Sequence, residues 1–134
     1  MILIKKKPNT PSQRNLIRLN TSKLEKIPFI KSHIKGLKNN SGTNHNGKII
    51  CRRKGGGNKT RYRKINFSRN FNSIGIIVTL EYDPYRSSRI CSVYDFLNNN
   101  YYYILAPTKV NVGDIIKSGS NIEISNGNSV PLSK

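Results

Sequence analysis

Acid is what this chain lacks. Its 134 residues carry 6 Asp and Glu against 24 Lys and Arg, a net charge of +18. Glu25 is the sole acid before Glu81, so the entire excess belongs to the first 80 residues and the remainder is neutral. The acids Glu81, Asp83, Asp95, Asp114 and Glu123 are scattered singly, which argues against a nuclease built on clustered, metal-holding carboxylates. Tryptophan is absent, methionine occurs once and hydrophobic residues make up 35%, so any core must be small. The two cysteines, Cys51 and Cys91, match no zinc spacing and are too few for a disulfide framework. Both lie in strand-like runs and are expected as small core or sheet-face residues. The two histidines, His33 and His45, have no Ser or Cys nucleophile and orienting acid beside them, so no catalytic residue and no metal ligand is expected. No apolar run approaches the ~20 residues of a membrane span. The apolar start precedes its positive charges, which is not the order of a secretory signal.

What is present is a concentrated basic stretch over residues 42–67. Lys48, Arg52, Arg53 and Lys54 precede three consecutive glycines, Gly55, Gly56 and Gly57. Asn58, Lys59, Arg61, Tyr62, Arg63 and Lys64 follow, and no acid interrupts the run. Each cation that meets a phosphate releases condensed counterion. Glycines remove side-chain bulk and admit positive φ, so backbone N–H groups can approach a phosphate closely. A Gly-Gly-Gly loop by itself is as often a solvated connector; its charged flanks turn the reading to nucleic acid. Arg69, Arg86 and Arg89 extend the candidate RNA-binding set, and Tyr62, inside the basic run, is a candidate for stacking a base or ribose. The stretch 57–60 is not a P-loop, because Asn58 and Arg53 stand where that motif needs glycines.

The order of the chain predicts an all-β fold. Residues 1–46, with Pro8, Pro11 and Pro28 and a closing Asn39-Asn40-Ser41-Gly42 turn, read as an extended basic arm with one short helical turn near 22–26, ordered by RNA. Strand-like runs follow at 48–52, 61–67, 73–82, 89–96, 101–106 and 112–116. In the second of these, Tyr62, Ile65 and Phe67 are candidate inward or stacking positions. Gly75 is placed for a bulge or bend, Asp83-Pro84 for a turn and Asn98-Asn99-Asn100 for a hairpin tip. Tyr101, Tyr102 and Tyr103 cannot all share a face and are read as packing residues. Glu81 has Arg86 or Arg89 as a candidate partner. Short strands at this spacing predict a small five-stranded oligonucleotide-binding (OB-fold) barrel over residues 47–134.

These motifs together resemble a known family. Gly47-Lys48-Ile49, then Arg52-Arg53-Lys54-Gly55-Gly56-Gly57-Asn58-Lys59, then Tyr62-Arg63, are similar to the signature of the universal large-subunit ribosomal protein two. Glu81-Tyr82-Asp83-Pro84-Tyr85-Arg86-Ser87-Ser88-Arg89-Ile90, Tyr103-Ile104-Leu105-Ala106-Pro107, Val112-Gly113-Asp114 and Val130-Pro131-Leu132 follow in the family's order. Arg53, Lys54 and Asn58 depart from the family's usual His, Arg and His. They keep donors and mostly keep charge, although Lys lacks the bidentate fork of Arg.

The resemblance implies the N-terminal, RNA-binding half of such a protein, with the family's second barrel absent from this chain and encoded separately. The family histidine near the peptidyl-transferase centre belongs to that second part and carries over to neither His33 nor His45. The implied partners are large-subunit rRNA, other large-subunit ribosomal proteins and the separate C-terminal half, with no membrane and no enzymatic activity. No cofactor is implied beyond Mg2+ as rRNA counterion. The richness in Asn, Ile, Lys and Tyr suggests an AT-rich organellar genome. A mitochondrial ribosome is therefore expected, with a plastid or bacterial-type cytoplasmic ribosome as the alternative. The rival to this reading is a free, cold-shock-like single-stranded RNA-binding barrel.

Overall fold

A computed structural model describes residues 3–37 and 39–133. Met1 and Ile2 of the apolar start, Lys38 and the terminal Lys134 lie outside them. The longest strand grows from the most apolar, β-branched run. It is Ser73–Glu81, here β5, because four shorter strands precede it: Leu3–Lys5 (β1), Ile17–Leu19 (β2), Ile34–Gly36 (β3) and Arg61–Arg63 (β4). Ile90–Asp95 (β6), Asn100–Leu105 (β7) and Ile115–Ser118 (β8) follow. β5 to β8 form one antiparallel sheet in the order β7-β6-β5-β8, while β1 pairs with β2 and β3 with β4. The turn between β6 and β7 has Asn99 at φ 48, the left-handed conformation that Asn tolerates. Asp95 closes this turn through Leu97 N–H and the Asn98 amide. No helix of the described residues is long and apolar enough to cross a membrane.

The fold is all-β, as expected, and OB-like, but its sheets are open. The strand expected at 48–52 does not form. Among the described residues only an isolated Thr43↔Ile49 bridge lies there, and Ile49 and Ile50 stay 67% and 68% exposed. A run flanked by Lys48, Arg52 and Arg53 has too little apolar surface to hold a place against a sheet. The last strand begins at Ile115 rather than 112, because Gly113 takes φ 94 and Asp114 closes a turn onto Asn111 N–H at 2.8 Å. Nor is 22–26 helical. Glu25 instead bridges to Glu81, with Glu25 N–H donating to Leu80 O and Tyr82 N–H to Glu25 O. The segment before residue 47 is thereby joined to the four-stranded sheet through Glu25, Phe29 and Ile30, while its β3 pairs with β4.

The irregularity in β5 decides what each face of the sheet carries. The pairing of β5 with β6 shifts register between Ile77 and Thr79, so Val78 is an extra residue that changes the side-chain phase. The bulge therefore lies here and not at Gly75. That glycine serves close approach instead: a Cβ there would sit 2.6 Å from Val93 Cγ1. Because of the phase change, Ile77 and Leu80 share one face with Cys91, Val93, Tyr102, Ile104, Val110 and Ile116. Glu81 turns to the other face, where Ile30, Ile65, Ile90 and Tyr103 are buried. Tyr102 and Tyr103 thus enter two cores on opposite faces while Tyr101 stays exposed. Of the candidate inward residues after β4, Ile65 is buried, whereas Phe67 is 69% exposed.

Glu81 is fully buried and its carboxylate is crowded with donors. It accepts from the Tyr103 hydroxyl at 3.0 Å, Phe29 N–H at 2.9 Å, the Thr79 hydroxyl at 3.2 Å and Arg63 Nε at 3.4 Å. The Tyr103 oxygen in turn accepts from Ile30 N–H at 2.9 Å. One carboxylate therefore pins the N-terminal segment to the sheet. Burial, reinforced by the Glu81 charge, pushes the Tyr103 phenol up to about 12, and burial does the same to the Cys91 thiol. Folding favours the protonated phenol. Its contribution is complete below the unfolded value of about 10 and is lost as pH rises towards 12. The urea midpoint is expected to fall between pH 10 and 11.5, and to fall less in Tyr103→Phe. Parallel decline of the two proteins would show that Tyr103 is not the group responsible.

Candidate nucleic-acid interface

The basic loop is an ordered structure made by short-range polar closure. Asn44 Oδ1 accepts from the N–H groups of Asn46 and Lys48, each at 3.0 Å. The Gly42 carbonyl accepts from Ile50 N–H at 2.9 Å and Cys51 N–H at 3.0 Å. Gly42 is obligatory at this crossing: its φ is +81, and a Cβ would run into the Cys51 carbonyl oxygen. The same closure holds the Cys51 backbone and leaves its side chain exposed in a turn, against the expectation of a core or sheet-face cysteine. Cys91 is buried, as expected. Further on, the Asn39 amide donates to the Gly56 carbonyl at 2.9 Å, and a Cβ on Gly56 would meet Ser41 Oγ. A polar cleft results, lined by Asn39, Ser41, Gly57, Asn58, Lys59 and Tyr85. Local sequence marks Asn39 and Ser41 only as turn formers; their place in the cleft comes from the bond to Gly56, 17 residues on.

The candidate cations divide into two groups. Lys48, Arg52, Arg53, Lys54, Lys59, Arg61 and Lys64 are exposed, and among the described residues none has a carboxylate within ion-pair distance. Gly55 and Gly57 open onto free space beside them. This is an uncompensated positive surface of the kind that collects polyanions. The second group is committed internally. Arg63 is 2% exposed, with Nε 3.4 Å from Glu81 and Nη1 3.9 Å from Asp83. It is therefore withdrawn from the phosphate-facing set, and it is Arg63, not Arg86 or Arg89, that pairs with Glu81. Arg69 donates to Ser118 Oγ at 2.9 Å and to the Gly127 carbonyl at 2.8 Å, and burial lowers its pKa. It ties β8 to the following loop instead of facing solvent.

Arg86 sits between the groups. Its Nε lies 3.0 Å from Asp83 Oδ2, and its guanidinium carbon lies 5.7 Å from the Tyr62 ring centroid. Tyr62 also packs edge-on against Tyr85 at 5.4 Å, so it is half-buried in a Tyr85–Tyr62–Arg86 stack rather than free. Arg89 is half-buried, and its Nε finds no partner among the described residues. Among those residues, no three of His, Cys, Asp and Glu are grouped to hold a metal ion.

Residues 30–118 match the family described as Ribosomal Proteins L2, RNA binding N-terminal domain. The chain is 44% identical over 133 residues to the large ribosomal subunit protein uL2m of Reclinomonas americana, covering 98% of this chain and 48% of that protein. It is 42% identical over 125 residues to the uL2 protein of Wolbachia (93% and 46%), and 39% identical over 134 residues to that of Paracoccus denitrificans (99% and 48%). It thus spans about half the length of the curated relatives it matches. With the glycine loop, its exposed flanking cations and the Asp83-Pro84 turn all inside the matched region, the chain belongs to the ribosomal protein L2 family, in the part described as the RNA-binding N-terminal domain.

Proposed function

We propose that this chain is a structural constituent of the large ribosomal subunit that binds large-subunit rRNA through the glycine loop and its exposed cations. The observation that carries the reading is the set Lys48, Arg52, Arg53, Lys54, Lys59, Arg61 and Lys64, exposed and without carboxylate partners among the described residues. Affinity then comes chiefly from phosphates, and recognition from the shape of folded RNA. The chain acts by binding, without catalysis, and needs no cofactor beyond Mg2+ as the counterion of its RNA. Its further partners are neighbouring large-subunit proteins, a reading supported by the names of the relatives it matches over about half of their length. A mitochondrial ribosome is the favoured location, supported by the likeness to a uL2m protein; the bacterial relatives support a bacterial-type ribosome as the alternative.

The test is sedimentation of the tagged chain from its native cells, with mass spectrometry of the co-migrating peak. Co-migration with the large subunit is the expected result. Recovery in light fractions on mixed RNAs would favour a free single-stranded RNA-binding protein.

A further inference from the structure

A second cleft lies away from the glycine loop, between the N-terminal segment and the turn after β5. Its walls include Leu19, Leu24 and Tyr82, with Lys23, Arg86 and Arg89 around them, and its volume is about 310 Å³. Backbone and side-chain bonds set its shape. The Glu25 bridge holds the N-terminal segment against the end of β5. Asn20 Oδ1 accepts from Ser22 N–H at 3.0 Å and the Ser22 hydroxyl at 2.7 Å, fixing the turn that forms the rim.

Three features of this cleft point to one kind of occupant. Its walls are apolar and aromatic, and Tyr82 is still 44% exposed, so it offers a flat surface to a planar ring. Arg89 Nε is buried without an acceptor among the described residues. Arg89 also lines the cleft, which brings a guanidinium to its wall as a hydrogen-bond donor. Finally, Arg86 lines this cleft while stacking over Tyr62, and Tyr62 packs on Tyr85, which lines the glycine-loop cleft. The Asp83 carboxylate behind them is already engaged by Arg63 and Arg86. A polyanionic strand leaving the glycine loop thus has a continuous aromatic and cationic path to an apolar pocket.

We propose that this cleft receives a single unstacked RNA nucleotide. Its base lies against Tyr82, Leu19 and Leu24, the guanidinium of Arg89 donates to an acceptor on it, and Arg86 meets its phosphate. Unpaired nucleotides are the elements of RNA that present a free ring face and free edges. The proposal rests on the RNA-binding reading and adds to it a site selective for a bulge.

The test uses the full chain and short RNA hairpins, with affinity read by fluorescence anisotropy. Four hairpins carry one bulged nucleotide and differ only in its base; matched controls have an abasic bulge or no bulge. At least one bulged hairpin is expected to bind about tenfold more tightly than its abasic control, the scale of one base stacked on an aromatic side chain. Thr21→Trp, at an exposed position on the cleft rim, is expected to erase that advantage while leaving the paired hairpin unaffected. Arg89→Met should weaken the bulged hairpin more than the paired one. Equal binding of bulged and abasic hairpins for all four bases, with RNA binding retained, would overturn the cleft assignment alone. Failure to bind any hairpin would overturn the RNA-binding reading and this inference together.

Discussion

Arg63→Met is expected to destabilise the protein by about 3 kcal/mol, the lower end of the cost of removing one partner from a buried ion pair. Arg61→Met, two positions earlier in β4, is expected to change stability by no more than about 0.5 kcal/mol. The two arginines differ in their surroundings. Arg61 is exposed. The Arg63 side chain is 3% exposed and faces two carboxylates that are each 0% exposed. Without it, Glu81 keeps three neutral donors and Asp83 keeps Arg86, which holds the cost near the lower end of the range. Urea unfolding followed by circular dichroism separates the two variants. Equal, small effects would show that Arg63 contributes no more than a surface cation.

RNA affinity is expected to respond in the opposite way. Neutralising Arg52, Arg53, Lys54, Lys59 and Arg61 together with glutamine should leave unfolding nearly unchanged, since all five side chains are exposed and unpaired among the described residues. If each meets a phosphate, the slope of log affinity against log salt flattens by ~0.7–0.9 for every cation neutralised. Five such cations then correspond to roughly 3.5–4.5 orders of magnitude in affinity near 0.1 M salt, shrinking towards nothing near 1 M. A salt titration of wild type and quintuple variant on one rRNA fragment measures this. A deficit that stays constant across salt would show that the loop acts through shape or hydrogen bonds and not through counterion release.

The charge distribution and the glycine spacing single out the stretch in which Lys48, Arg52, Arg53, Lys54, Lys59, Arg61 and Lys64 are exposed, because both are properties of composition and local chain. The fate of Arg63 was not legible in the same way. It shares its alternation phase with Arg61, so a strand pattern gives both the same face, yet one is exposed and the other buried. The signal that separates them lies in the other half of the sequence. Glu81 ends an apolar run with Asp83 two residues on, and a buried carboxylate there needs a cation. The nearby Arg86 and Arg89 were the local candidates; the partner came from 18 residues upstream. The Val78 bulge was hidden for a related reason. A phase change shows only in the register between β5 and β6, whereas Gly75, the one residue that signals a bulge locally, is used for close packing. Residues 25–36 have the local pattern of a free arm because their bonds run to the Glu81 carboxylate, the Tyr103 hydroxyl and backbone groups far along the chain, which no local periodicity records.

Those distant bonds also set an order of events during synthesis. Phe29 N–H waits for Glu81, 52 residues later, and Ile30 N–H for Tyr103, 73 residues later. A chain made from its N-terminus delivers its cationic part first. Until Glu81 emerges, Glu25 is the one carboxylate already made that could shield residues 31–64. The latching of the N-terminal segment is timed by the emergence of β7. An RNA that engages the basic stretch earlier meets a chain whose N-terminal segment is not yet latched, and the Tyr103–Glu81 latch then closes around a contact already made.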